Sequence, residues 1–208
     1  MLRILGRTSS INVRKVLWTC HEIGIDYQRE DWGRGFQPAS SPEFLALNPN
    51  ALIPAVVDDG LVLWESNTIC RYLADSRRAS HLLPTDPRSR AQVEKWMDWQ
   101  ATELNGSWGY AFHGLSRRSP EHQDPALIQA SIQQWGHYMA ILDRQLAAQD
   151  TPYICGDDFT LADIVLGLSI HRWQLTPFDK PELPHAHAYY QRLIQRPGFL
   201  THGSVGVA

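Results

Sequence analysis

Residues 48–74 read NPNALIPAVVDDGLVLWESNTICRYLA and combine two short strands with the start of a helix. Apolar residues flank a turn at Asp58-Asp59-Gly60, and glycine supplies the positive φ that a tight hairpin turn requires. After the second strand, apolar side chains recur at positions such as Ile69 and Leu73, the spacing of one helix face. The stretch therefore predicts a β-hairpin that runs directly into a helix.

The sequence before this stretch alternates strand and helix signals. Residues 2–5, LRIL, have strand character, and residues 25–31 are typical of a second extended segment. Between them, apolar residues follow the i, i+3, i+4, i+7 spacing of an amphipathic helix, which Gly24 is expected to end. These apolar residues are Val13, Val16, Leu17 and Cys20. A strand–helix–strand unit followed by a hairpin and a helix predicts a small α/β domain over residues 1–77.

From about Arg88 onward the strand signals stop and helical spacing takes over. A first long helix is expected, followed by a seam of the kind that packs helix against helix. The long helix is marked by Val93, Trp96, Met97, Gln100 and Leu104, and the seam by Ile128, Ile132, Trp135, Met139, Leu142 and Leu146. Pro84, Pro87 and their polar neighbours in residues 77–89 are typical of a linker. The sequence therefore predicts an all-α domain over residues 87–208.

Composition argues against several classes of function. The chain has 208 residues, 43% of them hydrophobic, and a net charge of −3, which gives no basic footprint for nucleic acid. No apolar stretch approaches the ~20 residues of a membrane span, and the N-terminus lacks the pattern of a signal peptide. The three cysteines form no CxxC pair and no metal-ligand cluster. We expect a cytoplasmic protein with no metal, no nucleic-acid partner and no membrane partner.

Three small hydrogen-bonding residues, Ser9, Ser10 and Asn12, stand between the first strand and the first helix. Serine and asparagine are preferred helix N-caps, so one hypothesis is that they only cap the helix. The alternative is that they hold an anion at the helix start, where free N–H groups and the helix dipole favour negative charge. Both roles use the same unpaired donors, and the residues alone leave both open.

Three motifs in chain order carry a family resemblance: SSINVRKV at residues 9–16, the hairpin stretch at 48–74, and GDDFTLADI at 156–164. In the third, Thr160 and Asp163 have the spacing of a helix capping box, to which we assign a structural role. Together the motifs make the whole chain resemble a cytosolic glutathione transferase. The first motif is closest to the serine-type branch and to the bacterial nu-like or beta-like branches.

The resemblance implies a thioredoxin-like domain that binds glutathione, followed by a helical domain that shapes the pocket for an electrophile. In the family, the proline matching Pro54 follows a cis peptide bond, and the backbone of the residue before it, here Ile53, pairs with the cysteinyl part of glutathione. The residues matching Glu65 and Ser66 hold the γ-glutamyl end. A helix start suits the carboxylate there, and the Glu65 carboxylate suits the ammonium.

The chemistry that the resemblance implies at the first helix is stabilisation of the glutathione thiolate. Ser10 falls where delta-like members have their catalytic serine, with Asn12 as a second donor or an orienting group. Ser9 falls where beta-class members have a cysteine, and we expect it to cap the helix or to contact the sulfur secondarily. A free thiol of pKa ~8.5 is only about 3% ionised at pH 7, so a donor that lowers this pKa increases the amount of nucleophile.

The chain departs from the family where many members hold the glycyl carboxylate of glutathione. The positions before the Ile-Pro step are Ala51 and Leu52, whose side chains carry neither a charge nor an amide. We expect Arg34 or Gln37, in the loop GRGFQP, to take over this role.

The electrophile pocket is expected to use Trp108 and His113. The segment SWGYAFHGLSRR that contains them also offers Tyr110, Phe112 and Arg117. Packing in the core or in a dimer explains such an aromatic cluster equally well.

The function implied is conjugation of glutathione to a small electrophile, as in detoxification, by a homodimer. Alternatives on the same fold are a glutathione-dependent disulfide reductase, dehalogenase or isomerase, and a non-catalytic interaction module. The lack of a cysteine in the expected active site argues against an oxidoreductase that acts through its own thiol.

Overall fold

The computed structural model describes residues 1–205. Its first part contains β1 (Leu2–Leu5), α1 (Ile11–Ile23), β2 (Tyr27–Glu30), α2 (Pro42–Leu45), β3 (Ala55–Asp58), β4 (Leu61–Trp64) and α3 (Ser66–Ser76). β1 pairs in parallel with β2 and antiparallel with β3, which pairs antiparallel with β4. The four strands form one mixed sheet in the order β2-β1-β3-β4. This is the α/β domain that the sequence pattern predicts, with the thioredoxin-like arrangement that the family resemblance implies.

The local signals for these elements are confirmed. Asp59 and Gly60 join β3 to β4 with φ values of 46° and 88°, the left-handed backbone that a tight hairpin turn needs. α1 ends at Gly24, whose φ is 65° and whose N–H donates to the carbonyl groups of Cys20 and His21. A residue without a Cβ adopts this conformation at the least cost, which is why glycine stands there.

The second part of the chain is helical over the residues that the structure describes. It contains α4 (Pro87–Trp99), α5 (Asn105–Leu115), α6 (Pro125–Ala147), α7 (Leu161–Leu175) and α8 (Pro184–Leu193), with a 3₁₀ turn at Pro120–His122 and a π-helical turn at Phe199–Gly203. The sequence predicts one long regular helix after Arg88, whereas the structure inserts a π-helical turn at Gln100–Leu104 between α4 and α5. Residues 206–208 of the predicted second domain lie outside the described residues.

The segment that connects the two parts is partly buried, unlike an exposed linker. Residues 77–86 contain no helix, but Leu82 and Leu83 are 0% and 1% exposed and belong to the main hydrophobic core. The Leu82 carbonyl also accepts a hydrogen bond from the N–H of Leu161 at the start of α7. The polar composition of this segment suggested a linker, but its two leucines anchor it beneath the helices.

One core runs through both parts of the chain. Trp18 of α1 is fully buried in it, and its Nε1 donates to Glu22 at 2.8 Å. Its ring packs against Gly198, where an added Cβ would lie 2.3 Å from the Trp18 Cδ1 atom. α1 is therefore held from the side of the helical domain, and the residues at its N-terminus are held with it.

No helix among residues 1–205 is long and apolar enough to cross a membrane.

Candidate functional site

A cleft of about 670 Å³ lies at the start of α1, between the sheet domain and the helices α5 and α7. Its polar lining residues include Ser10 and Asn12 of the first motif, and its walls include Ile53 and Trp108. A smaller cavity of about 50 Å³ shares Asn12, Leu52 and Ile53 with it and is also lined by Asn48, Pro54, Glu65 and Ser66. The two cavities are therefore neighbours around Asn12 and Ile53. A single extended ligand can occupy both.

Ser10 is the N-cap residue of α1, with φ −74° and ψ 125°, but its side chain makes no capping hydrogen bond. Its backbone carbonyl accepts a hydrogen bond from the N–H of Arg14 at 2.9 Å. Ser10 therefore contributes to the start of the helix through its backbone and not through its side chain. The hydroxyl lines the larger cavity and finds no hydrogen-bond partner within residues 1–205. It is therefore free to donate to a ligand.

Ser9 is placed differently from Ser10. Its Oγ accepts a hydrogen bond from Arg7 Nη1 at 3.1 Å, and it lies outside the set of residues that line the cleft. The expectation that Ser9 caps α1 is wrong, because the chain enters the helix one residue later, at Ser10.

The Ile53–Pro54 peptide bond is cis, which confirms the prediction from the family resemblance. The loop that leads to it is held by Asn48, which is 2% exposed and donates from Nδ2 to the Leu52 carbonyl at 2.7 Å. Ile53 also packs close to Gly6, where an added Cβ would lie 3.3 Å from the Ile53 Cβ and 2.5 Å from Val13 Cγ2. Glycine at that position therefore lets this loop and α1 approach each other.

Glu65 and Ser66 stand at the start of α3, on the far side of the small cavity. Ser66 is 6% exposed and begins the helix, where the first backbone N–H groups lack intrahelical acceptors. Glu65 is exposed and holds φ at 70°, a conformation that costs a non-glycine residue about 1–3 kcal/mol and is often kept at functional sites. The pair presents a carboxylate beside unpaired N–H donors.

A buried polar network connects this helix start to the wall of the larger cavity. The Lys15 ammonium donates to Asn67 Oδ1 at 3.2 Å and to Gln100 Oε1 at 2.7 Å. Gln100 Nε2 donates to Asn105 Oδ1 at 2.9 Å, and the same oxygen accepts from Trp108 Nε1 at 3.1 Å. Burial lowers the pKa of Lys15 to about 8, so this side chain carries a positive charge at pH values below that.

Trp108 lines the larger cavity, whereas His113 lies outside its lining residues. The His113 ring stacks on the His122 ring with centroids 4.8 Å apart. Burial lowers the pKa of His113, and the nearby charge of Arg117 lowers it further. His113 is thus a neutral ring behind the cavity wall.

Two residues of the cleft gave no signal in the sequence pattern. Arg7 and Arg172 line the cleft together with Arg34 and Arg117. Arg7 precedes the motif that contains the serines, and Arg172 lies in the mostly buried helix α7, where the apolar pattern hides a cation. Arg34 lines the cleft whereas Gln37 does not, so the geometry favours the arginine among the two candidates for the glycyl carboxylate.

Metal chemistry finds no support in the side chains that the structure describes. Among residues 1–205, no group of three or more His, Cys, Asp or Glu side chains could hold a metal ion. The expectation that the reaction uses no metal stays a prediction.

Comparisons with known proteins identify the family of this chain. The family model described as "Glutathione S-transferase, N-terminal domain" matches residues 9–76, and "Glutathione S-transferase, C-terminal domain" matches residues 125–192. The chain belongs to the glutathione S-transferase family. Glutathione S-transferase GstB of Escherichia coli (strain K12) is 37% identical over 199 residues, which cover 95% of each protein.

Two further relatives of the transferase extend this picture. The theta class glutathione S-transferase from the citrus canker pathogen Xanthomonas axonopodis pv. citri, solved with glutathione bound, is 39% identical with a TM-score of 0.92; the match covers 100% of this chain and 99% of that one. The disulfide-bond oxidoreductase YfcG of Escherichia coli (strain K12) is 29% identical over 195 residues, 89% of this chain and 87% of the relative. These relatives leave the branch within the family a prediction.

Proposed function

We propose that this transferase conjugates the thiolate of glutathione to a small electrophile. The observation that carries the proposal is the unpartnered Ser10 hydroxyl, which faces the cleft at the N-terminus of α1 beside Asn12 and Ile53. The relative from Xanthomonas axonopodis pv. citri, which was solved with glutathione bound, supports glutathione as the ligand. In this proposal glutathione lies across the two cavities, with its sulfur at the start of α1.

Each part of glutathione then has a partner of matching chemistry. The γ-glutamyl carboxylate accepts from the Ser66 hydroxyl and the free N–H groups of α3, and the ammonium pairs with the Glu65 carboxylate. The backbone of Ile53, before Pro54, pairs with the cysteinyl unit. Arg34, in the exposed loop at the cleft edge, holds the glycyl carboxylate.

Stabilising the glutathione thiolate requires only a modest interaction energy. Lowering a thiol pKa by ~2 units needs about 2.7 kcal/mol of preferential interaction with the thiolate. A hydrogen bond to a charged group contributes roughly 1.5–3 kcal/mol and a helix N-terminus ~0.3–1 kcal/mol. The Ser10 hydroxyl at the start of α1 therefore suffices, with Asn12 as a second donor or an orienting group.

The protein's own thiols are unsuited to the role of nucleophile. Burial raises the pKa of Cys20 and of Cys155 to about 12, and that of Cys70 to about 11. None of the three lines the two cavities. The sulfur must therefore arrive with the substrate.

A second candidate function is reduction of disulfides through two glutathione molecules. The similarity to YfcG, a disulfide-bond oxidoreductase, favours it. Since no thiol of this chain faces the cleft, such a reaction would use the sulfur of a bound glutathione to attack the disulfide.

One experiment separates the two candidates. The purified protein is titrated with glutathione while thiolate absorbance in the ultraviolet is followed, and is then offered a panel of electrophiles and disulfides. Conjugation predicts a bound thiol with a lowered pKa and a thioether product. Oxidised glutathione as the only product would favour the reductase, and a bound thiol with an ordinary pKa would reject both.

Glu65 offers a test of the γ-glutamyl site. Replacing it with alanine or with glycine removes the carboxylate, so we expect either variant to bind glutathione about ten-fold or more weakly, the value of a charge-assisted hydrogen bond. Only Glu65→Gly also relieves the positive φ, and it should be about 1 kcal/mol more stable to urea than Glu65→Ala. Glutathione affinity equal to that of the wild type in both variants would remove Glu65 from the site.

The expected homodimer remains a proposal, with α3 and α4 at the interface. Trp99 is half-buried on α4, whereas Trp96 is only 8% exposed and packs in the core of the chain itself. Trp108, whose aromatic cluster was also compatible with packing in a dimer, lines the cleft instead. Leu61 and Trp64, on the edge strand β4, also expose apolar side chains. Sedimentation at micromolar concentration should give twice the chain mass of 23.7 kDa; a monomer alone would contradict it.

The remaining expectations form part of the same proposal. We take residues 1–77 as the glutathione-binding domain and residues 87–208 as the domain that shapes the electrophile site. A cytoplasmic location, where glutathione is abundant and thiols stay reduced, fits the three free cysteines. Detoxification of electrophiles is the role that this chemistry serves.

A further inference from the structure

The lining of the larger cavity is strongly cationic. Four arginines, Arg7, Arg34, Arg117 and Arg172, line it, and the lining residues include no aspartate or glutamate. The whole chain has a net charge of −3, so this concentration of positive charge is local to the cleft. Low-dielectric walls strengthen the attraction of such a surface for an anion.

Arg172 is the most deeply placed of the four. It is 4% exposed, and its Nε is buried without a hydrogen-bond partner. Within residues 1–205 the structure gives its guanidinium neither an ion pair nor a hydrogen bond. A buried guanidinium without a carboxylate or carbonyl partner is costly, which makes it a candidate for binding a ligand.

Two aromatic rings fix the position of this guanidinium. The Arg172 Cζ atom lies 4.4 Å from the ring centroid of Trp108 and 4.2 Å from that of Phe112. Trp108 is in turn held by its hydrogen bond to Asn105 at 3.1 Å. The guanidinium lies over both rings, so the part of it that can meet an anion is its N–H groups.

Electrostatics among the arginines supports the same conclusion. Burial, and after it the charges of Arg14 and Arg117, lowers the pKa of Arg172 to about 9. Burial also lowers the pKa of Arg117, followed by repulsion from Arg7 and Arg34. Arg172 stays cationic at neutral pH, and an anion beside it would relieve the repulsion that it experiences.

Glutathione, in the position proposed for it, places no anionic group at Arg172. Its γ-glutamyl end is assigned to the small cavity at Glu65 and Ser66, and its glycyl carboxylate to Arg34 at the exposed edge. Arg172 instead lies on α7 of the helical domain, against Trp108, on the side of the cleft assigned to the electrophile.

We infer that the electrophile of this transferase carries an anionic group, such as a carboxylate, and that Arg172 binds that group beside Trp108. The inference rests on the proposed conjugation and adds the substrate class to it. The thiolate attacks the electrophilic carbon, the new S–C bond forms, and the leaving group departs with its electron pair. The anionic group stays on Arg172 throughout and takes no part in the bond changes.

A matched pair of substrates tests the inference. In 4-(chloromethyl)benzoate and 4-(chloromethyl)benzamide the reacting carbon is the same, chloride is the leaving group in both, and only the charge of the distant group differs. We expect kcat/KM, divided by the uncatalysed rate with glutathione, to favour the benzoate by about ten-fold or more, since a charge-assisted hydrogen bond replaces a neutral one. Equal values for the two substrates would overturn the inference.

Variants locate the preference at Arg172. Arg172→Met keeps the bulk of the side chain and should lose most of the preference for the benzoate, whereas Arg172→Lys should keep part of it. Arg144→Met, on the exposed face of α6, makes the same change in net charge and should leave the preference unaltered. If Arg172 acted on glutathione instead, Arg172→Met would slow both substrates equally and would shift the thiol pKa, which would contradict the inference.

Two outcomes keep this inference separate from the proposed function. Turnover of the benzamide without preference for the benzoate would reject the anion site and leave conjugation intact. Without turnover of either substrate, the panel of electrophiles still decides on conjugation, and calorimetry with unreactive 4-methylbenzoate and 4-methylbenzamide tests the anion site in the wild-type protein. The same calorimetry applies if Arg172→Met does not fold, and equal affinity for the two compounds would reject the anion site.

Discussion

Ser10→Ala is expected to raise the thiol pKa of bound glutathione by about 1 to 2 units, because it removes a hydrogen bond worth roughly 1.5–3 kcal/mol to the thiolate. Turnover at pH 7 should fall about ten-fold or more, since turnover follows the thiolate fraction. Part of the loss should return as the pH rises and solvent removes the proton. Thiolate absorbance against pH, with saturating glutathione, measures the effect directly.

The neighbouring serine is the matched control. Ser9→Ala removes only the contact with Arg7 Nη1, so the thiol pKa should stay as in the wild type, and Ser10→Thr, which keeps a hydroxyl, should stay close to it. Glutathione affinity should change little in Ser10→Ala, because Ile53, Glu65 and Ser66, the proposed partners of the rest of the tripeptide, are unchanged. A pKa shift in Ser9→Ala alone would mean that the other serine contacts the sulfur. No shift in either would assign the role to Asn12 or to backbone N–H groups.

Asp163→Ala is expected to have the largest effect on folding. The Asp163 carboxylate is 0% exposed and accepts from the Thr160 N–H at 2.7 Å, the Ile154 N–H at 3.1 Å and the Tyr189 hydroxyl at 2.5 Å. Burial raises the pKa of Asp163, and these donors oppose that rise. Alanine leaves several buried donors unpaired, so the free energy of unfolding should drop by about 3–5 kcal/mol.

Chemical denaturation followed by far-ultraviolet circular dichroism measures this loss. Asp157→Ala, on the exposed part of the same loop, is the control and should stay within about 0.5 kcal/mol of the wild type. A loss below about 1 kcal/mol in Asp163→Ala would mean that water or a rearranged loop satisfies the donors.

The elements of this fold follow from short-range signals. The β3–β4 hairpin, the end of α1 at Gly24 and the capping pair of Thr160 and Asp163 each depend on a few neighbouring residues with definite backbone or hydrogen-bond requirements. Such requirements can be recognised in a single sequence. The cis Ile53–Pro54 bond was predictable only through the family resemblance.

The cationic cleft could not be predicted in the same way. Arg7 and Arg172 are far apart in the sequence and come together only when α1 packs against α7. A helix such as α7, buried on almost every side, shows no polar face that would mark one cation as functional. The burial of Leu82 and Leu83 could not be predicted for the opposite reason. Two apolar residues among prolines and polar residues resemble a flexible connection, and only the folded structure shows that other residues cover them.

The direction in which α5 presents Trp108 to the cleft, on the side proposed for the electrophile, depends on one extra residue in the π-helical turn at Gln100–Leu104. A π turn holds about one residue more than an α turn, and each residue of an α-helix advances the direction of its side chains by about 100°. Loss of one residue there would restore a regular helix and turn α5 by that angle. Trp108 would then move away from Arg172, and Asn105, which turns with it on α5, would leave Gln100. The proposed glutathione half of the site, on α1, the Ile53 loop and α3, would stay in place. The length of the chain at this one turn therefore allows the proposed electrophile site to change independently of the proposed glutathione site.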